Sequence, residues 1–265
     1  MVTRRRPGWR PRWRSYVREA RPLIYLLRRR LTAKSERDHI ESSFALVERL
    51  TARLLPGYVL GDYGKLWSRD APFLEEYRRL DPSGSLRAAE RRFLLRQLLP
   101  LLTGVPGDTA EAGVYLGASS WLVCDYFRGS EKAHYAFDSF AGLSAPGPAD
   151  GAYWEQGDLA SAEEIARARL EPFDAVICRG WIPDSFENVD VGQLCFAHID
   201  VDLYEPTLES LKFFYPRVVS GGIILCDDYG FTTCPGARRA VDEYMVDRPE
   251  PVVHVPTGQA VIIKR

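Results

Sequence analysis

Apolar residues recur at intervals of three and four through residues 36–55 (ERDHIESSFALVERLTARLL) and 86–102 (LRAAERRFLLRQLLPLL), which predicts two helices separated by the turn-rich PGYVLGDYGK and LDPSGS. After GVPGD the pattern changes. Short apolar runs follow at about 109–115, 133–138, 174–178, 194–200, 222–227, 252–255 and 259–263. Helical patterns separate most of them, as expected for right-handed crossovers on a parallel sheet. The last two runs are joined only by PTG, too short for a crossover, so they should pair as an antiparallel hairpin at the sheet edge. The fold class is therefore α/β with a mostly parallel sheet, and the change of texture puts a boundary near residue 107.

Upstream, Trp13, Tyr16, Val17, Ala20, Ile24, Leu27 and Leu31 share one helical face, which Pro22 should kink or divide. Residues 1–30 hold eleven arginines against one acid, Glu19, giving +10, so the net −1 of the whole chain leaves −11 for the remainder. Two readings stay open. Either this face packs on the rest of the chain or on a second subunit, or residues 1–31 form a peripheral membrane contact drawn to anionic lipid. The longest apolar run there, LIYLL, is too short for a secretory signal, and no run approaches the roughly 20 residues of a spanning helix.

With 265 residues, 46% of them hydrophobic, the chain can fill one substantial core and carry a smaller appended part. Cys124, Cys178, Cys195, Cys226 and Cys234 are odd in number and contain no C-x-x-C pair, so a disulfide framework is not expected and a reducing cytoplasm is.

Ligands of an open parallel sheet bind beyond the carboxyl ends of its strands. The first such end reads EAGVYLGASS, where Gly113 and Gly117 permit a tight turn and the helix near Ser119 offers free amides to an anionic group. The second ends in YAFDSF and places Asp138 21 residues after Gly117, the distance at which an acid reaches the hydroxyls of a ribose. Neither G-x-G-x-x-G nor G-x-x-x-x-G-K-[ST] is present, which argues against a dinucleotide or a nucleoside triphosphate; a smaller nucleoside such as S-adenosylmethionine needs neither.

Two later runs, FAHIDVDLYEPT and GGIILCDDYG, each end in a pair of aspartates. If the strand continues that far, a period of two puts His198, Asp200 and Asp202 on one side of it, and Asp227 and Asp228 close the next, after a crossover helix that has Pro206 in its first turn. Like charges seldom converge in a partly buried place without a cation. Oxygen donors without a cysteine or histidine cluster suit a hard divalent ion, magnesium first. The competing reading is that these aspartates cap the turns and helix that follow. His198 reads as an oriented or core histidine, His134 and His254 as structural, and His39 as a helix-surface residue. Tyr204 and Tyr229 follow the acidic pairs and either line a site or pack beneath it.

The combination VPGDTAEAGVYLGASS, FDSFAGL, RGWIPDSF, HIDVDLYEPT, CDDYG, CPGARRAVDEY and TGQAVIIK resembles the metal-dependent sugar O-methyltransferases typified by macrocin O-methyltransferase, over most of residues 105–265. The resemblance implies a class I methyltransferase Rossmann-like sheet behind an N-terminal helical lid. It implies methyl transfer from S-adenosylmethionine to a sugar hydroxyl of a macrolide or other natural-product glycoside, with Mg2+ holding the acceptor. By matching motif, Asp200, Asp227 and Asp228 are the metal ligands, and Asp200, then Asp202, the proton acceptor. Glu111, Gly113, Tyr115, Gly117 and Ser119 form the loop at the methionine end, and Asp138 is the ribose partner, with Ser139, Gly180 and Trp181 completing the cofactor set. Trp181 would cover the adenine or else fill core. Leu116 and Ala118 stand where similar proteins often carry a basic residue and a glycine, so part of the grip on the cofactor carboxylate should come from elsewhere.

The expected organisation is a basic extension (1–35), a helical lid (36–107) and a catalytic domain (108–265), acting on a small-molecule glycoside as a cytoplasmic homodimer without nucleic acid. Alternatives are a catechol-type phenol O-methyltransferase using the same carboxylates, and a membrane- or nucleic-acid-binding module built on the basic start.

Overall fold

A computed structural model describes residues 13–54, 65–81, 83, 85–173, 175–187 and 189–265. The chain forms two compact units, Met1–Leu66 and Trp67–Arg265. In the described part of the first unit, α1 (Trp13–Leu31) and α2 (Glu36–Leu54) form a helical pair. α1 runs unbroken through Pro22, where the sequence led us to expect a kink or division. Arg29 Nη2 bonds Asp38 at 2.6 Å, and Arg30 meets His39, so acids and a histidine of α2 receive arginines of α1. No helix among the described residues is long and apolar enough to cross a membrane.

The second unit opens with α3 (Ala71–Leu80) and α4 (Ala89–Leu98), then alternates β1 (Asp108–Ala112), α5 (Ala118–Tyr126), β2 (His134–Asp138), α6 (Glu163–Leu170), β3 (Ala175–Arg179), β4 (Leu194–Ile199), α7 (Tyr204–Phe214), β5 (Val218–Cys226) and α8 (Pro235–Met245), ending in β6 (Val253–His254) and β7 (Ala260–Ile263). The strands form one sheet in the order β3-β2-β1-β4-β5-β7-β6. The first five are parallel; β7 runs antiparallel to β5, and β6 closes the edge as its hairpin partner. The chain order reverses between β1 and β4, which opens a crevice at their carboxyl ends.

β4 is buried along its whole length, as a central strand covered on both faces must be. Ala197 and Ile199 join the core under α7 and α8 with Phe137, Phe214 and Val241. Cys195 and Phe196 join the opposite layer, where Leu95, Leu98, Leu99 and Leu102 from α4 and its extension pack with Leu122 and Val123 of α5. A register shift between Leu194 and Phe196 lets these two neighbours face the same layer. α4 therefore belongs to the sheet unit although it precedes the change of sequence texture. Its Ala89 and Phe93 also pack against Phe73 and Tyr77 of α3.

Candidate active site

The crevice begins with Gly113 at φ +87°, where a Cβ would fall 1.8 Å from the carbonyl oxygen of Asp200; only glycine allows the two chain ends to meet so closely. Beyond it Tyr115 is left-handed at φ +51°, and Gly117, also left-handed, starts α5. Asp138 holds this turn from the end of β2. Its Oδ2 accepts the amides of Val114 (2.7 Å) and Tyr115 (2.8 Å), and its Oδ1 accepts that of Phe140 at 2.6 Å. Arg169 of α6 donates to the carbonyl of Leu116 at 2.7 Å, which brings a guanidinium to the loop position that lacks a basic side chain.

Gly113, Tyr115, Asp138, Ser139 and Gly180 line one cleft, together with Ile182 and Leu203. Ser119 lines a second cleft beside His198, Asp200, Asp227 and Gln259. Trp181 is 40% exposed and lines neither, Ile182 facing the first cleft in its place. Glu111 is 1% exposed, its carboxylate bonded to Ser120 and, at 2.7 Å, to His198 Nδ1. Its side chain is committed to the interior, so its reach toward a cofactor runs through the loop that it anchors.

The aspartates come together by another route than the strand alternation, because β4 ends at Ile199: Asp200 groups with His198 and Asp227, and Asp202 with Asp228 and Cys234. Asp202, Asp227 and Asp228 are buried, while the Asp200 side chain keeps 31% of its exposure. Asp227 Oδ1 accepts from His198 Nε2 (3.1 Å) and from Gln259, and its Oδ2 accepts from Arg91. The same Arg91 Nη1 lies 3.9 Å from Asp200 Oδ1 and 4.0 Å from Asp228 Oδ1, so Asp200, Asp227 and Asp228 surround one cationic atom. Asp228 Oδ2 accepts the Asp202 amide at 2.9 Å, and Cys234 donates to Asp202 Oδ1. Asp202 is itself left-handed at φ +58°, a conformation costly for a residue other than glycine.

Electrostatics follow from this crowding. Burial, together with the charges of Asp202, Asp200 and Asp227, drives Asp228 well above the carboxylate range, and burial raises Asp202 to about 6. Asp227 is also desolvated, yet Arg91 and His198 hold it down to about 2. Burial lowers the pKa of His198, but Asp227 and Glu111, flanking its two nitrogens, raise it well above the ordinary histidine range. The carboxylates likewise outweigh the burial of Arg91 and keep its guanidinium charged.

The donor set fits a hard divalent cation, since oxygens of three aspartates converge within 4.0 Å of one point. Two groupings can each present three ligand atoms, His198–Asp200–Asp227 and Asp202–Asp228–Cys234. Both nitrogens of His198 are already engaged, which leaves the carboxylates as the available ligands.

Arg91 and Gln259 escaped the sequence reading. Arg91 sits in AERRFLLRQ with two other arginines, Arg92 and Arg96, and no local pattern marks which of them turns inward. Tyr204 and Tyr229 give their hydroxyls to Glu243 and Asp242 of α8.

A family described as macrocin-O-methyltransferase (TylF) matches residues 93–260. The demethyldecarbamoylnovobiocin O-methyltransferase of Streptomyces niveus is 30% identical over 203 residues, covering 66% of this chain and 75% of that protein. The 8-demethyl-8-(2,3-dimethoxy-alpha-L-rhamnosyl)-tetracenomycin-C 4'-O-methyltransferase of Streptomyces olivaceus is 32% identical over 159 residues, covering 54% of this chain and 60% of that one. Among solved structures, the O-methyltransferase NovP superposes with a TM-score of 0.59 at 26% identity, over 66% of this chain and 80% of its own.

Proposed function

This chain belongs to the macrocin O-methyltransferase family, and on that premise we propose that it transfers a methyl group from S-adenosylmethionine to a sugar hydroxyl of a glycosylated natural product, with Mg2+ at Asp200, Asp227 and Asp228. The observation that carries the metal reading is the convergence of these three side chains on one cationic point beside the Gly113–Asp138 cleft.

In this reading the left-handed turn from Gly113 to Gly117, pinned by Asp138, receives the cofactor, and the first amides of α5 face its anionic end. S-adenosylmethionine supplies an activated methyl group, and a bound divalent ion lowers the pKa of an acceptor hydroxyl. The chain's own residues align the acceptor oxygen, exclude water and accept its proton. Asp200 is the proton acceptor in this scheme, because it is the most exposed of the four carboxylates, whereas Asp202 is buried and bonded to Cys234. The oxygen–methyl bond forms as the sulfur–methyl bond breaks, the proton goes to Asp200, and S-adenosylhomocysteine leaves.

The test is a mass-spectrometric screen of glycosides and catechols for gain of one methylene, run with Mg2+ and with chelator. Turnover of glycosides that chelation abolishes and Mg2+ restores is the expected result. Turnover of catechols alone moves the chain to the phenol class, and full activity after chelation removes the metal.

A further inference from the structure

The aspartate cleft already holds a cation, and it belongs to the chain. Arg91, in the first turn of α4, donates Nη1 to Asp227 Oδ2 and stands within 4.0 Å of Asp200 and Asp228. Its guanidinium carbon lies 5.3 Å from the ring centre of Phe231, which steadies it from the other side.

Asp227 has one oxygen to offer. Oδ1 is taken by His198 and Gln259, so Oδ2 alone turns to the cleft, and that atom is bound by Arg91. A divalent ion ligated by the same oxygen at about 2.1 Å would lie within a few ångströms of a guanidinium that cannot lose its proton. Two cations at that separation in a desolvated cleft repel strongly. One or the other holds Asp227.

We propose that Arg91 is the resident counter-cation of the carboxylate cleft and that a divalent metal ion must displace it from Asp227, so that competition with Arg91 sets the metal affinity. The inference rests on the metal reading above and adds to it a residue of α4. Displacement needs only rotation of a long side chain, since the backbone of α4 stays packed through Leu95 and Leu98. The arrangement also explains how four carboxylates can share one crevice before a metal arrives: Arg91 and His198 lower their mutual repulsion.

The experiment is a titration of the full chain with Mn2+, following free Mn2+ by electron paramagnetic resonance, for the wild type, Arg91→Gln, Arg91→Lys and Phe231→Ala. Arg91→Gln should bind Mn2+ at least about tenfold more tightly than wild type. Arg91→Lys, which keeps the charge, should gain less, and Phe231→Ala, which only loosens the guanidinium, should fall between wild type and Arg91→Gln. Affinity unchanged or weakened in Arg91→Gln overturns the competition while leaving the metal reading intact. Absence of Mn2+ binding in all four proteins refutes the metal reading, and the competition with it. If Arg91→Gln fails to fold, Phe231→Ala decides alone, and an affinity equal to wild type then counts against the proposal.

Discussion

Glu111 Oε1 lies 2.7 Å from His198 Nδ1, and the two residues are register partners across β1 and β4. The pairing is buried at 1% and 2% exposure, and it continues through His198 Nε2 to Asp227. A carboxylate at the root of the Gly113–Gly117 turn is thus tied through one imidazole to a carboxylate of the proposed metal site. Removing Glu111 leaves His198 paired with Asp227 but its buried Nδ1 without a partner, at a cost of about 1–3 kcal/mol. Glu111→Ala should therefore lower unfolding stability by roughly that amount, read from urea denaturation at neutral pH. A loss below about 1 kcal/mol would mean that the pair contributes little net energy.

Asp138 accepts three backbone amides, from Val114, Tyr115 and Phe140, and still faces the first cleft. Asp138→Ala removes both the proposed ribose partner and the pin of the loop. It should weaken S-adenosylhomocysteine binding by at least about tenfold in calorimetry, since hydrogen bonds to a charged group contribute about 1.5–3 kcal/mol each. Mn2+ affinity should stay close to wild type, because Asp138 touches none of the four clustered aspartates. Unchanged cofactor affinity would remove Asp138 from the cofactor site.

Asp200 and Asp227 should separate in their effects. Asp227→Asn removes a buried metal-facing charge and should weaken Mn2+ binding more than cofactor binding. Asp200→Asn removes the proposed proton acceptor, so kcat should fall by about 10²–10⁴ while S-adenosylhomocysteine affinity is retained. If Asp202→Asn shows the larger loss of kcat, the role of base passes to Asp202.

Much of this architecture is legible because it is written in periodic or punctuated signals. Alternating apolar runs mark the strands, the short PTG link marks the terminal hairpin, and the glycine turn and strand-end aspartates mark the carboxyl ends of β1, β4 and β5. Three features are not legible, and for one reason. Arg91 enters the carboxylate cleft from a helix 136 positions away from Asp227, Gln259 reaches the same carboxylate from β7's approach, and Glu111 meets His198, 87 positions on, because β1 lies alongside β4 as well as β2. Each depends on which distant element lies alongside, and no local spacing records that. The unit boundary behaves similarly: texture changes near 107, but the stripe of Leu95, Leu98 and Leu102 is buried against the sheet, so packing starts the second unit at Trp67.

The far edge of the sheet gives a test of stability against pH that does not involve the active site. Glu250 is 4% exposed; Tyr215 donates to its Oε2 at 2.5 Å, while Lys264 and the Arg265 amide reach its Oε1 at 3.2 Å. Burial opposes the charge, yet these partners hold its pKa at about 2, below the ordinary 4.5. A carboxylate depressed on folding stabilises the native state fully above its unfolded pKa and loses that contribution as pH falls toward its folded one. Tyr215→Phe keeps the ring, which packs against Tyr244, and removes only the donor. The variant should be less stable than wild type by about 1.5–3 kcal/mol at neutral pH, the range for a hydrogen bond to a charged group. The gap should narrow as the pH falls from about 4.5 toward 2, because the wild-type carboxylate then gains its proton and its advantage with it. Urea unfolding of both proteins at a series of pH values measures the gap directly. A difference that is undiminished where Glu250 is largely protonated would show that the Tyr215 hydroxyl stabilises the fold by some route other than the Glu250 charge.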